Sequence, residues 1–218
     1  MEKFVSLILS GYIQYKVKDT KIRLHIGAFD YVMPGWINTD ITPHIFVSKI
    51  PFVPLIMYKL GLISKERYIE HKKGVFKNLY YMDLTKQLPL KDNSVEAVFS
   101  SHVFEHLFID EVELLIHEIK RVLIPGGICR IVVPDLEKIV ACWNVNDPRE
   151  FLQNIFDIAK RSAVKNQHHS GFTGSFLTRL FMDAGFAECQ ICSYKVGRCP
   201  NIDKLDNRPD SLFFEAIK

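Results

Sequence analysis

Three titratable side chains lie close together in the sequence, directly after an apolar run that ends in two serines. They are His102, Glu105 and His106, and the serines are Ser100 and Ser101. Residues three or four positions apart share a face where the chain is helical. Imidazole titrates near neutral pH, so His102 is predicted to act as a general base or to position a substrate, with His106 as a second candidate. The alternative is that these side chains only cap the turn.

A second group of residues, one glycine and two acids, follows three other apolar runs. Gly27 and Ala28 end the first run, and Asp40 ends the next. Asp83 and Leu84 stand at the end of a third. In an open parallel sheet, ligands bind beyond the carboxyl ends of the strands, where glycine admits a close backbone approach and an acid accepts ribose hydroxyls. Asp83 can accept from an adenine amino group, and the alternatives are a turn acid at 40 and a cap at 83. The predicted nucleoside-binding residues are Gly27, Ala28, Asp40, Asp83, Leu84, Ser100, Ser101 and His102.

Apolar runs and amphipathic stretches predict the elements that hold these residues. Strands are expected over 22–26, 35–41, 75–84, 95–101 and 127–133, followed by 188–196 and 212–217. Helices are expected over 108–122, 147–159 and 173–184, where apolar residues recur at helical spacing. Nearly continuous apolar runs are typical of parallel strands that are covered on both faces. The last two strands have no helix between them, which predicts an α/β sheet of seven strands with the last one antiparallel.

Length and composition exclude several classes of protein. The chain has 218 residues, 48% of them hydrophobic and 24% charged, which is typical of one globular domain and excludes intrinsic disorder. The net charge of +3 comes without a block of like charge, so no nucleic-acid partner is expected. Five cysteines at irregular spacing predict reduced thiols, and Cys189 and Cys192 would face opposite sides of a strand, so no metal site is expected. The apolar run at 4–9 is too short for a signal peptide, and no run is long enough to span a membrane, which predicts a cytoplasmic protein.

The segment 42–74 interrupts the alternation of strands and helices. It contains three prolines and an apolar run over 50–58. Because no basic cluster flanks that run, we expect the segment to form a lid or to pack on the sheet; the alternative is peripheral contact with a membrane or a lipid-linked substrate. The chain, 1–218, is therefore predicted to be one domain with an inserted segment. His168 and His169 precede the last helix and are expected to be ordinary loop residues; the alternative is that they reach a substrate from the rim of the site.

Four phrases stand in order along the sequence. They read Gly-Trp-Ile-Asn-Thr-Asp at 35–40, Leu-Pro-Leu-Lys-Asp-Asn-Ser at 88–94, Ser-Ser-His-Val-Phe-Glu-His-Leu at 100–107 and Arg-Val-Leu-Ile-Pro-Gly-Gly at 121–127. In these phrases the chain resembles a class I S-adenosylmethionine-dependent methyltransferase of the bacterial small-molecule type. The resemblance implies a Rossmann-like, doubly wound sheet and S-adenosylmethionine as cofactor, with S-adenosylhomocysteine as product. It also implies methyl transfer to a small-molecule acceptor such as a sugar or glycan precursor.

The first motif departs from that family. It reads His-Ile-Gly-Ala-Phe-Asp at 25–30, with one glycine, whereas the family's motif usually begins with an acid and carries two or three glycines. Phe29 is expected to crowd the methionine moiety, and Asp30 is the candidate replacement for the missing acid. The degraded motif leaves a second hypothesis open, a non-catalytic nucleoside-binding or scaffold protein. A nicotinamide-dependent oxidoreductase is the third hypothesis, and the absence of the Gly-x-Gly-x-x-Gly fingerprint argues against it.

Overall fold

Seven strands form one mixed sheet in the computed structural model, which describes residues 22–156 and 167–218. The strands are β1 (Ile22–Ile26), β2 (Ile37–Asp40), β3 (Leu79–Tyr81), β4 (Val95–Ser101), β5 (Leu123–Val133), β6 (Glu188–Cys192) and β7 (Leu212–Ile217). Their order across the sheet is β3-β2-β1-β4-β5-β7-β6. β7 pairs antiparallel with both β5 and β6, and the other neighbouring strands pair parallel. This confirms the predicted Rossmann-like α/β sheet with its last strand reversed.

Helices connect the strands. They are α1 (His44–Val47), α2 (Val53–Lys59), α3 (Lys65–Lys73), α4 (Ile109–Val122), α5 (Leu136–Ala141), α6 (Arg149–Phe156), α7 (Gly174–Asp183) and α8 (Ile202–Leu205), with short 3₁₀ turns at Val75–Asn78 and Phe104–His106. The predicted apolar stripe of α4 is buried as expected, because Val112, Leu115 and Ile119 pack into the core. The predicted helix over 147–159 is described as far as Phe156, and its last positions, like the run at 4–9, lie outside the described residues. Within the two described ranges, no helix is long and apolar enough to cross a membrane.

The core has two faces because successive side chains of a strand point to opposite sides of the sheet. On β4, Val98 belongs to the cluster that includes α4 and α7, whereas Phe99 belongs to a second cluster with Trp36 and Leu205. Burying one such side chain fully contributes roughly 1.5–3 kcal/mol. Both faces of β4 are therefore covered, and its carboxyl end can place Ser101 and the residues after it on a rigid support.

The predicted strand over 75–84 is wrong in its first half. Gly74 has a left-handed backbone (φ 77°), and the next four residues form a 3₁₀ turn. This turn buries Phe76 beside Ile45 and Leu79 at the edge of the sheet. The aromatic residues that suggested a longer strand thus pack through a turn, and only Leu79–Tyr81 pairs with β2. Asp83 consequently lies in a loop rather than at the last position of a strand.

A buried ion network fixes the antiparallel side of the sheet. Arg130, at the centre of β5, is fully buried and pairs with Asp206 and with Glu215 of β7. The Glu215 carboxylate also accepts hydrogen bonds from the backbone N–H groups of Arg198 and Cys199. Each buried charge therefore has partners, as burial requires. The network ties the loop before β7 to the sheet.

Candidate active site

A cavity of about 700 Å³ opens at the carboxyl edge of the parallel strands. This is the edge at which open α/β sheets bind ligands. Of the predicted site residues, the following line it: Gly27, Ala28, Asp40, Asp83, Leu84, Ser101, His102 and His106. Ser100 is the exception, because its side chain is buried in the sheet and its hydroxyl has no hydrogen-bond partner in the described ranges. Residues from four separate strands thus meet in one cavity.

The single glycine of the first motif stands where the backbone requires one. Gly27 has a φ of 67°, and a Cβ built there would lie 2.2 Å from Cγ2 of Val103 in the turn after β4. A side chain at this position would therefore be both strained and in collision. The next peptide is held by a 2.9 Å hydrogen bond from the Ala28 N–H to the Thr39 carbonyl. One glycine is sufficient for the close contact between the β1 and β4 turns.

Asp40 joins the first turn to the end of β2. Its carboxylate accepts hydrogen bonds from the backbone N–H of Phe29 (3.2 Å) and of Thr42 (2.7 Å). Burial raises the pKa of Asp40, and these hydrogen bonds oppose that effect. An ionised carboxylate offers about four acceptor positions. Because two are used and Asp40 lines the cavity, the carboxylate can also accept two ribose hydroxyls.

Asp83 takes part in a local turn and lines the same cavity. Its carboxylate accepts hydrogen bonds from the N–H (3.1 Å) and hydroxyl (2.7 Å) of Thr85, and it pairs with Lys86 at 3.0 Å. Burial favours a higher pKa for Asp83, but the bonds from Thr85 and Lys86 together lower it. The structure therefore contains the cap at Asp83 that is the alternative to a role in nucleoside binding. The charged carboxylate still has acceptor capacity toward the cavity.

One arginine of the inserted segment lies against the first motif. The guanidinium carbon of Arg67, on α3, lies 4.4 Å from the ring centroid of Phe29, which lines the cavity. The same guanidinium lies 3.8 Å from the carboxylate of Asp30. Asp30 therefore already has a cationic neighbour. Arg67 covers the turn at the point where the sequence departs from the family.

His102 occupies a constrained position after β4. Its φ is 54°, and its N–H donates to the Val132 carbonyl at 2.8 Å. Nδ1 lies 3.1 Å from Oε1 of Glu105, and Nε2 lies 2.9 Å from Oγ of Ser211. A carboxylate beside Nδ1 favours the tautomer with its proton there, which leaves a lone pair on Nε2. The predicted spacing thus places the Glu105 carboxylate beside Nδ1 of His102. Ser211 was missed because it lies 109 residues away in the sequence.

A smaller cavity of about 260 Å³ lies beside the first. Its apolar walls come from Pro134, just after β5, and from α5 and α6, which contribute Ile139 and Phe156. Its polar residues include Glu105 and His168, and His169 lines both cavities. The residues that were expected to be ordinary loop positions, 168 and 169, are therefore part of the site. Their place beside the cavities agrees with the alternative of a rim position rather than with the preferred interpretation as ordinary loop residues.

The chain is similar to known proteins in sequence and in fold. Residues 62–131 match the model of a family described as a methyltransferase domain. A solved S-adenosylmethionine-dependent methyltransferase from Archaeoglobus fulgidus shares 18% identity, with 100% of this chain and 95% of that chain covered and a TM-score of 0.50. Over this range the chain is therefore similar to a methyltransferase domain, and its fold is like that of the solved enzyme. The matched range includes Asp83 and the three residues His102, Glu105 and His106, while the first turn and Asp40 come before it.

Two longer solved proteins are also similar to the chain. One is a CurJ carbon methyltransferase (14% identity, TM-score 0.49). The match covers 93% of this chain and 50% of that protein. The other is phosphoethanolamine N-methyltransferase 2 of Haemonchus contortus, solved with S-adenosylmethionine (14% identity, TM-score 0.48); the chain is fully covered and spans 52% of it. The chain is thus about half the length of these two. The acceptor positions that remain on the Asp40 carboxylate suit the hydroxyls of a ribose.

Proposed function

We propose that the chain transfers a methyl group from S-adenosylmethionine to a hydroxyl or amine of a small-molecule acceptor. The observation that carries the proposal is the position of His102, which lines the nucleoside-sized cavity and whose Nδ1 lies 3.1 Å from Oε1 of Glu105. Sugars and glycan precursors are the first acceptors to screen. We also propose that 1–218 is one domain with 42–74 as a cover, and that its five free thiols reflect a cytoplasmic location.

The cofactor supplies a methyl group activated by its sulfonium. In this proposal Asp40 accepts the ribose hydroxyls, Asp83 accepts from the adenine amino group, and the turn at Gly27 and Ala28 admits close backbone approach. Leu84, Ser101 and His102 complete the walls of the cavity. Holding two reactants in line can contribute roughly 7–11 kcal/mol to a transfer reaction. Orientation is therefore the main task of these residues.

His102 removes the proton from the acceptor. Without substrate, the lone pair on Nε2 accepts a hydrogen bond from the buried hydroxyl of Ser211. When the acceptor binds, its hydroxyl or amine replaces Ser211 as the donor to Nε2. Glu105 stabilises the imidazolium that forms, in the way that a carboxylate orients a catalytic histidine. A positioned base accelerates such a transfer by roughly 10²–10⁴-fold. His106 lines the same cavity and is the second candidate for contact with the acceptor.

Cofactor binding is tested by calorimetric titration with S-adenosylmethionine and S-adenosylhomocysteine. We expect micromolar dissociation constants, and we expect Asp40→Ala to weaken both by about tenfold, or about 1.4 kcal/mol. Asp92→Ala, on a surface ion pair away from the cavity, is the matched control. Lack of binding at millimolar ligand, with the protein folded, would show that the altered first turn has closed the site.

Catalysis is tested with His102→Asn, because asparagine tolerates a positive φ and still donates toward Glu105. Formation of S-adenosylhomocysteine is measured over a panel of sugars and sugar nucleotides. We expect turnover to fall by about 10²–10⁴-fold with cofactor affinity unchanged, whereas His117→Ala, on the exposed face of α4, should match wild type. Turnover within threefold of wild type would remove His102 from the mechanism. Tight cofactor binding without methylation of any acceptor would favour the non-catalytic alternative.

We further propose that the inserted segment contacts an anionic lipid surface. α2 has no buried residue, and the flanking Phe52 and Leu60 are 76% and 68% exposed. Residues 49–78 carry seven Lys and Arg against two Glu, a net charge of +5 in a chain whose total is +3. These charges are spread along the sequence, so no cluster was evident there. Apolar protrusions beside basic residues suit an anionic membrane interface.

Vesicle sedimentation tests this contact. We expect the protein to sediment with phosphatidylglycerol vesicles at low salt and not with phosphatidylcholine vesicles. The double substitution Phe52→Ser, Leu60→Ser should reduce the bound fraction strongly. Leu114→Ser, which alters an equally exposed leucine on α4, serves as the control. Equal sedimentation of the double variant and wild type would exclude this surface.

A further inference from the structure

We propose that Glu105, His106 and His168 form a binding site for a divalent transition-metal ion. Each residue offers one ligand atom, and the three atoms lie within 4.8 Å of one another. Two imidazoles and one carboxylate suit zinc, iron or cobalt, and they leave coordination positions open for a further ligand. The sequence gave no indication of this site, because His168 comes from a loop far from the other two.

The carboxylate of Glu105 is the first reason for the proposal. The side chain is 1% exposed, and neither carboxylate oxygen accepts a hydrogen bond from residues 22–156 or 167–218. Nδ1 of His102 lies 3.1 Å from Oε1, outside hydrogen-bond geometry. A buried carboxylate without hydrogen bonds is costly unless it is paired or coordinates a metal. Oε2 remains available to an ion beside the two histidines.

The backbone holds Glu105 in place. Its carbonyl accepts hydrogen bonds from the N–H groups of His169 (2.7 Å) and Ser170 (3.1 Å). The hydroxyl of Ser170 also donates to the Leu107 carbonyl at 2.9 Å. The loop that carries His168 is therefore docked directly on the turn that carries Glu105 and His106. The three side chains are brought together by the fold before any ion binds.

The orientation of His106 is the second reason. Its Nδ1 lies 3.4 Å from the backbone carbonyl of Gln167, which can only accept, so Nδ1 carries the proton. Nε2 then has the free lone pair that a metal ligand needs. A ligating histidine typically donates its other ring N–H to a carbonyl in this way. The rings of His106 and His168 lie 5.2 Å apart, close enough to share an ion with Glu105.

The position of the cluster gives the ion a role. His106 lines the large cavity, and Glu105 and His168 line the small apolar cavity. An ion here lies between the expected cofactor and an acceptor whose apolar part occupies the smaller space. It would bind the acceptor hydroxyl and lower its pKa, and the proton would pass to His102. This role depends on the proposed function, whereas metal binding itself does not.

Metal titration of the full chain tests the site. The protein is stripped with a chelator and titrated with Zn²⁺ by calorimetry and with Co²⁺ by visible absorption. We expect one equivalent to bind at micromolar affinity or tighter, with Co²⁺ bands typical of nitrogen and oxygen ligands. Glu105→Gln, His106→Ala and His168→Ala should each weaken binding at least tenfold. His117→Ala, an exposed histidine outside the cluster, should bind like wild type.

The outcomes separate this proposal from the proposed function. Unchanged affinity in all three variants, or no binding at millimolar metal, would overturn the metal site while leaving cofactor titration unaffected. Loss of cofactor binding with metal binding retained would overturn the methyltransferase mechanism and leave the metal site standing. If Glu105→Gln does not fold, His168→Ala decides the question, because its side chain lies on the docked loop rather than in the core.

Discussion

Glu105 and Glu215 are equally buried, each 1% exposed, but their surroundings differ. Glu215 accepts from Arg130 at 3.1 Å and from two backbone N–H groups, at Arg198 and Cys199. Glu105 has Nδ1 of His102 at 3.1 Å but accepts no hydrogen bond from the described parts of the chain. The fold can therefore satisfy a buried carboxylate completely where the charge is structural. The fold leaves the Glu105 carboxylate without hydrogen bonds from the described residues, beside two cavities and the histidines His106 and His168. This lack of partners points to a bound ligand.

The largest effect is expected from removing the charge that satisfies Glu215. Arg130→Met leaves two buried carboxylates, Asp206 and Glu215, without their cation, and should lower the free energy of unfolding by about 3–5 kcal/mol. Urea unfolding measures this. Arg198→Met, which breaks only an exposed pair with Glu188, should cost less than about 1 kcal/mol. Similar values for the two variants would mean that the network is not a structural unit.

A smaller effect on stability is expected from His25, because its buried imidazole disfavours the charged form. Burial lowers the pKa of His25 to about 4, although its hydrogen bond to Asn38 opposes the shift. The unfolded imidazole titrates at its ordinary value of 6.5, so stability is complete above that pH and is lost as the pH falls toward 4. Between about pH 7.5 and about pH 5 the loss is about 2 kcal/mol.

The histidine effect is isolated by comparison with His25→Gln. The variant should lack this share of the pH dependence in urea unfolding, while wild type retains it. Burial also lowers the pKa of His71 to about 4, with further contributions from His44 and Arg67, so His71 adds a share to both proteins. Only the difference between wild type and variant is therefore used. Identical slopes would show that His25 does not account for the loss.

The smallest stability effect is expected at Glu105 itself. In metal-free protein, Glu105→Gln removes a charge without hydrogen bonds and should change the free energy of unfolding by less than about 1 kcal/mol, or increase it. Glu215→Gln, measured in the same way, should lose about 2–3 kcal/mol because several donors lose a charged acceptor. An equal loss in both variants would remove the distinction between the two carboxylates.

The parts that sequence predicted are those built from local patterns. The helical stripe of α4 and the strand ends carrying Gly27, Asp40 and His102 are local, and the structure brings these residues to one cavity. The partners that come from distant segments could not be predicted. Ser211 and His168 reach the site through tertiary packing, and no short-range spacing encodes that contact. The aromatic run after Gly74 was wrongly predicted to be a strand. It forms a buried turn, and a buried turn can have the same apolar composition as a strand.

The left-handed backbone at His102 has a consequence for variation in this protein. An L residue with a side chain at φ 54° costs roughly 1–2 kcal/mol relative to glycine. A library of variants at position 102, sorted only for resistance to heat, should therefore enrich glycine, whereas the same library sorted for turnover should retain histidine. The two enrichments move in opposite directions at one residue. A homologue with glycine at this position would be recognisable as a protein that has kept the fold and relinquished the chemistry.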